Sequence, residues 1–417
     1  MLDISQKDID RLRALASHQA ELASGDRMRN LYADWARHGR FEKDARPMFT
    51  VELWTFAGEV IPPLMRCEGE KARRLEAMLL GNIVPFEMFG DDTPVRGYLP
   101  VPLKKRFVPF GLPVRKSEAD DSGAAGVGHH FEAYLHDLEE DWHLLGKSTW
   151  SFDEAATQEE IDALNELFGD LLPARRSGET LMVGPAEDII HLIGMEDLYV
   201  AMYDVPERVH EMMDRLLNDY GEYLDEMEAR GLILPTAGDE GLPQGSYCFT
   251  DSLPSAGTGL NTRQVWGYMD AEEMNDVSPE MYRAFITDHY RGMAERFGAL
   301  SFGCCEAIHR VWDGGVETLP NLRKVSVSAW CDPRFMGDRL RNRDIVFLRK
   351  PTANFLGVGR DLDEEAVRAY FRETAEAASG CRLEVTQRDV YLLNGSPDKV
   401  KRYVQLVREA LDRYWKP

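Results

Sequence analysis

The residues best suited to chemistry cluster between Leu300 and Trp330, in LSFGCCEAIHRVWDGGVETLPNLRKVSVSAW. An apolar run, Ala299 to Phe302, breaks at Gly303 and leads at once into Cys304, Cys305 and Glu306, with His309 three residues on. Thiolate, imidazole and carboxylate are the groups that bind zinc. A buried strand ending in such groups is expected in a parallel barrel, where functional side chains sit at C-terminal strand ends. A second strand, Lys324 to Trp330, alternates Val325, Val327 and Ala329 against Ser326 and Ser328 and runs into Cys331 and Asp332. If the first strand stays regular, side chains alternate and only one of the two thiols faces the interior. One phase turns Cys305 inward; the other turns Cys304 and Glu306 inward together. The plain alternative is two buried thiols packed as small apolar groups.

Further candidates lie on either side. Asp239 and Glu240 close the strand Leu232 to Leu234 as GDE, and Asp389 closes the last strand. Carboxylates there suit metal ligation or general acid/base work. The loop from Tyr247 to Met269 holds Phe249, Trp266 and Tyr268 among several glycines. Aromatic rings over a barrel mouth can stack a flat substrate, so Tyr247, Trp266, Trp330 and the mid-helix His289 are the substrate-binding candidates. His129 and His130 have the look of a metal pair but adjoin the glycine-rich stretch Asp120 to Gly128, read as an exposed loop.

The elements that must position these groups are regular after residue 179. Thr180 to Gly184 reads as a strand. Val205 to Arg230 reads as a helix, with a capping-box spacing at Asp204 and Glu207 and an apolar stripe from Val209 to Met227. A long loop runs to Asp276, and Ser278-Pro279 opens the next helix. Then follow the GCCE strand, a short helix near Gly315 to Leu319, the SVSAW strand and a strand at Ile345 to Leu348. A helix at Glu364 to Ala378, a strand at Leu383 to Gln387 and a helix at Pro397 to Trp415 complete the chain. Alternating strands and helices predict βαβ units and a parallel sheet. The expected class is α/β, a (β/α)8 barrel over 81–417, with a helical and irregular N-terminal extension over 1–80. No GxGxxG or GxxxxGK[ST] follows any strand, so nucleotide binding is not indicated.

The whole-chain balance narrows the partners. With 49 basic and 72 acidic residues the formal charge is −23, which speaks against nucleic-acid and anionic-membrane binding. There is no run long and apolar enough for a spanning helix, and MLDISQKDIDRLR lacks the core of a secretory signal, so a cytoplasmic location is expected. Six scattered cysteines read as free or metal-binding thiols there.

Four segments carry a family resemblance: LIGMEDLYVAMYDVPERVHEMMD, NDVSPEMYRAFITDHYRGMAERFG, GCCEAIH and NLRKVSVSAWCD, in this order. They resemble the uroporphyrinogen decarboxylase superfamily, more narrowly its zinc-dependent, corrinoid-linked methyltransferase branch, over roughly 175–415. The resemblance implies a (β/α)8 barrel with its site at the C-terminal strand ends. It also implies zinc, a small methylated or methoxylated substrate and a separate corrinoid protein, and it leaves room for a homodimer. In thiol-using relatives a His-x-Cys pair and a later cysteine bind the metal. Here Cys305 overlies the first cysteine, Gly303 stands at the histidine, and no cysteine occurs near Gln387 to Tyr391. The implied ligand set is therefore Cys305 with Cys304 or Glu306, plus Glu240, with Asp389 a further carboxylate; Glu240, Glu306 and Asp389 are also the catalytic candidates. Decarboxylases proper carry an RxAGR-like segment, which RHGRFEKDARP does not match. A metal-free lyase would have to hold carboxylates with Arg323, Arg349 and Lys350. A binding barrel without chemistry is the third reading.

Overall fold

Seven short strands are buried along nearly their whole length, as a parallel sheet covered on both faces requires. The computed structural model describes residues 4–118 and 129–417. We number the barrel strands in chain order: β1 Met48–Val51, β2 Leu181–Met182, β3 Trp266–Met269, β4 Ala299–Phe302, β5 Leu322–Val327, β6 Val346–Arg349 and β7 Arg382–Gln387. Their order across the sheet is β1-β7-β6-β5-β4-β3-β2, and every pairing is parallel. All C-terminal ends therefore open on one face. The expected α/β barrel architecture is present, with seven strands rather than eight in the continuous ladder among the described residues. β1, which falls within the first 80 residues, pairs with the last strand: Thr50 lies opposite Thr386.

The interval between the edge strands β1 and β2 is spanned by a hairpin, Gly241–Leu242 against Ser246–Tyr247. Thr180 Oγ1, just before β2, donates to Gly241 O, and Thr50 Oγ1 of β1 donates to Gly245 O. The hairpin tip enters the barrel. Gly245 has φ +78°, and a Cβ there would stand 2.4 Å from Thr386 Cγ2, so this approach requires glycine. Behind the tip, Lys324 Nζ donates to Ser246 Oγ (2.8 Å), Tyr247 O (2.9 Å) and Glu384 Oε1 (2.6 Å), which places a fully paired ammonium and carboxylate inside the barrel.

Several expectations change here. Leu232 to Leu234 is not a barrel strand: Pro235, which has no N–H for a ladder, follows directly, and Ile233 O accepts from Leu260 N instead. β3 lies in what the sequence presents as loop. Its Gly267 allows Phe297 to pack on the strand, since a Cβ would meet that ring at 2.2 Å. β5 stops at Val327, short of Trp330. The helix Pro206–Ala229 buries the expected stripe, but Val205 is its N-cap and no side-chain capping bond forms, so the Asp204–Glu207 box is absent. Asp120 to Gly128 lies outside the described residues, as do the side chains of His129 and His130. Among the described residues, no helix is long and apolar enough to cross a membrane.

Candidate active site

The segments leaving β3, β4, β6 and β7 converge on one cluster. Gly303 ends β4 with φ +96°, a conformation that suits glycine. Its N–H still donates to Met269 O at 3.0 Å, and a Cβ would stand 3.1 Å from Glu306 Oε1. Beyond this turn the alternation of a regular strand no longer applies. Cys304 and Cys305 fall on the same side, with their sulfurs 3.6 Å apart, so neither single-thiol phase describes the site. The serines of the next strand hold the turn. Ser326 Oγ donates to Cys304 O (2.5 Å), and Ser328 Oγ, just past β5, donates to Glu306 O (2.8 Å).

A carboxylate from β3's exit completes the group. Glu272 Oε2 accepts from Cys305 N at 3.1 Å. One ligand atom each from Glu272, Cys304 and Cys305 lies within 4.8 Å of the others. Glu306 is turned differently. Its Oε2 accepts from Cys304 N at 2.5 Å, and its Oε1 is buried without a partner. Burial, reinforced by Asp270, pushes the Glu306 carboxyl up to about 8.

A polar ring encloses Cys305. Lys350 Nζ and Asp389 Oδ2 each stand 3.9 Å from its Sγ. Gln244, at the hairpin tip, accepts from Lys350 (2.5 Å) and from Arg388, and donates to Tyr268 OH (3.0 Å), which donates to Asp270 (2.6 Å). Arg388 is balanced by Glu52 (3.2 Å) and Asp389 (3.5 Å). The Cys304 S–H points at Cys305. That hydrogen bond and burial hold the Cys304 proton on; the same bond, with Lys350 nearby, draws the Cys305 thiol down against its burial.

Cys305, Glu272 and Glu306 border a cavity of about 850 Å³ that Phe131, Ile190, Met195 and Trp330 also line. Trp330 is 77% exposed and borders this space. Of the substrate-binding candidates it alone reaches the cavity. Trp266 begins β3, at the far end of the strand, and is core, its Nε1 donating to Cys248 O (2.9 Å). Tyr247 packs against Trp35 at 5.3 Å. His289 sits on an outer helix between Asp214 (2.6 Å) and His210 (2.8 Å).

Glu240 is also apart from the thiols. It borders a separate pocket of about 390 Å³ with Arg96 and Tyr98, and its Oε2 caps Gly238 N (2.9 Å). The misplaced strand at Leu232 to Leu234 is the reason, since GDE closes no barrel strand. Asp239 accepts from Tyr32 (2.6 Å) and Tyr98 (2.8 Å). Cys331 is buried under Glu306 O (3.6 Å), and His309 accepts from Asp332 N (3.4 Å). Glu272 and Gln244 were not singled out from sequence. The signal for Glu272 was available: WGYM followed by DAEE repeats the pattern of ALSF followed by GCCE.

No family model matches this sequence, and no curated protein matches it. Solved structures do. A methyltransferase from Methanosarcina mazei superposes with a TM-score of 0.50, covering 92% of this chain and 98% of that chain at 12% identity. At that identity the likeness establishes the α/β barrel fold.

Proposed function

We propose that this chain is a zinc-dependent methyltransferase that moves a methyl group from a methoxylated aromatic to a corrinoid carried by a separate protein. The observation that carries the reading is the convergence of Glu272, Cys304 and Cys305 at the barrel mouth. Two sulfurs and one carboxylate, with room for a fourth group, match the donor set of a catalytic zinc site. These three residues would hold the ion, which when bound supplies Lewis-acid polarisation of the ether oxygen. The fold neighbour from Methanosarcina mazei bears the name methyltransferase.

The rest of the work falls to the chain itself. Trp330, Met195 and Phe131 give a flat ring an apolar wall in the cavity that Cys305 borders. Glu306 Oε1, buried and unpartnered, holds the proton for the phenolate oxygen as the methyl–oxygen bond breaks. The methyl acceptor must approach in line with that bond, from the open face. Exposed apolar side chains follow the C-termini of several strands: Trp54 after β1, Trp330 after β5, Val358 after β6 and Leu392 after β7. Such a rim favours a docked partner. The Asp-x-His-x-x-Gly spacing of a corrinoid site occurs once, at Asp141 to Gly146 (DWHLLG), where it forms a local turn: Asp141 Oδ2 accepts from His136 N (2.8 Å) and Asp137 N (3.1 Å), and His143 Nδ1 lies 2.9 Å from Glu140 O.

A lyase gripping carboxylates has less support. Arg349 is turned to Ser328 O, Arg323 faces Asp344 at 3.9 Å, and Lys350 is engaged by Gln244. The test is incubation with an aryl methyl ether, zinc and a reduced corrinoid protein. Phenol release that requires the corrinoid protein supports the assignment. Decarboxylation of uroporphyrinogen by the same preparation, without phenol release, would replace it with the lyase, and inertness in both assays would leave a binding barrel.

A further inference from the structure

We propose that Cys304 and Cys305 form a reversible vicinal disulfide on exposure to peroxide, so that the barrel mouth carries a thiol modification site as well as a ligand cluster. The metal consequence drawn below rests on the function proposed above; the disulfide itself does not.

Neighbouring cysteines in a strand point to opposite faces and cannot meet. Here the glycine turn at φ +96° removes that constraint and brings the sulfurs to 3.6 Å. Both residues are half-buried, and Cys305 borders the large cavity, so a small oxidant reaches it. Cys305 Sγ is the sulfur on the cavity side, 3.6 Å from Cys304 Sγ and 3.9 Å from Lys350 Nζ. That is the attacking atom, and Cys304 is the resolving thiol. The other four cysteines, Cys67, Cys248, Cys331 and Cys381, are buried. Cys67 and Cys248 lie instead against Asp8 O and Thr180 Oγ1, and Cys331 and Cys381 against Glu306 O and Gly337 O.

The steps balance with hydrogen peroxide as the oxidant. The Cys305 sulfur attacks one peroxide oxygen, the O–O bond breaks, and one water leaves with the proton released, giving a sulfenic acid. Cys304 Sγ then attacks that sulfur, the S–O bond breaks, and a second water leaves. Two thiols and one peroxide become one disulfide and two waters. Both sulfur ligands are consumed, so the oxidised chain loses its capacity for zinc until a thiol reductant restores them.

The experiment treats the full-length, metal-free protein with equimolar hydrogen peroxide and maps its peptides by mass. The expected result is a loss of two hydrogens in the peptide containing both cysteines, reversal by dithiothreitol, and free thiols at the other four positions. Zinc uptake, read with a chromophoric chelator, is lost on oxidation and regained on reduction. In Cys304→Ser, Cys305 stops at a sulfenic acid that dimedone traps. Sulfinic acid at Cys305 of the wild type, or a disulfide joining either residue to another cysteine, would overturn the proposal. If the reduced protein takes up no zinc yet the two-hydrogen loss occurs, the metal reading fails and the modification site stands.

Discussion

Lys350 Nζ stands 3.9 Å from Cys305 Sγ and 2.5 Å from Gln244 Oε1, so the cation nearest the thiol pair is held by a neutral side chain and keeps its charge directed at sulfur. Replacing it with a neutral group of similar reach removes that bias. Lys350→Met should slow alkylation of Cys305 by iodoacetamide in the metal-free protein at neutral pH by about tenfold, the factor that ~1.4 kcal/mol of lost stabilisation gives. An unchanged rate would mean that Lys350 does not act on this sulfur.

Gly303 should tolerate no side chain. In Gly303→Ala a non-glycine residue at φ +96° costs ~1–3 kcal/mol, and its Cβ would press on Glu306 Oε1 from 3.1 Å. Urea denaturation should report that loss, and zinc affinity should fall with it because the turn sets the positions of both thiols. A variant with wild-type stability and zinc affinity would show that the turn is not what aligns them.

The buried pair Lys324–Glu384 should be costly to break from one side. Lys324→Met leaves the Glu384 carboxylate inside the barrel with only the Ser246 hydroxyl and, at 3.4 Å, the His38 imidazole beside it. The expected loss is ~3–5 kcal/mol by urea denaturation. Adding Glu384→Leu should recover part of it, since removing both charges leaves no uncompensated ion. Failure of the double variant to improve on the single one would refute this.

Stability should fall as pH rises through neutrality. Asp188 is half-buried, with the Tyr220 hydroxyl as its hydrogen-bond partner (2.6 Å), and desolvation pushes its carboxyl up to about 7. The unfolded chain releases that proton near its ordinary value of about 3.9. Between the two values folding takes up a proton, so each rise in pH weakens the fold, and the penalty is complete above about pH 7. Glu273, raised to about 8, acts in the same sense. Melting should therefore occur at a lower temperature near pH 8.5 than near pH 5.5 (conditions chosen to lie on roughly either side of the shifted values). Asp188→Asn should narrow the gap by stabilising the alkaline sample. An equal gap in wild type and variant would exclude Asp188 as a contributor.

How far the sequence carries depends on the element. The helix at 206–229 was legible because its apolar stripe survives any tertiary context, and β4 because a short, mainly apolar run, ALSF, leads straight into GCCE. β3 was not. It is four residues long, carries a glycine, and has no polar alternation because both faces are buried. Losing β3 lost Glu272, which reads as a loop acid unless a strand ends at Met269. The reverse error put Glu240 in the site, since Leu232 to Leu234 is strand-like in type but Pro235 denies it a ladder. The meeting of both thiols depends on one positive φ at Gly303, which strand periodicity does not encode.

Metal content tests the central claim most directly. Purified protein reconstituted with zinc under reducing conditions and then desalted should retain about one ion per chain, as one three-ligand site requires. Cys305→Ala and Glu272→Ala should each retain far less while keeping the wild-type circular dichroism spectrum. Absence of zinc from the wild type, or full occupancy in both variants, would contradict a zinc site built from Glu272, Cys304 and Cys305.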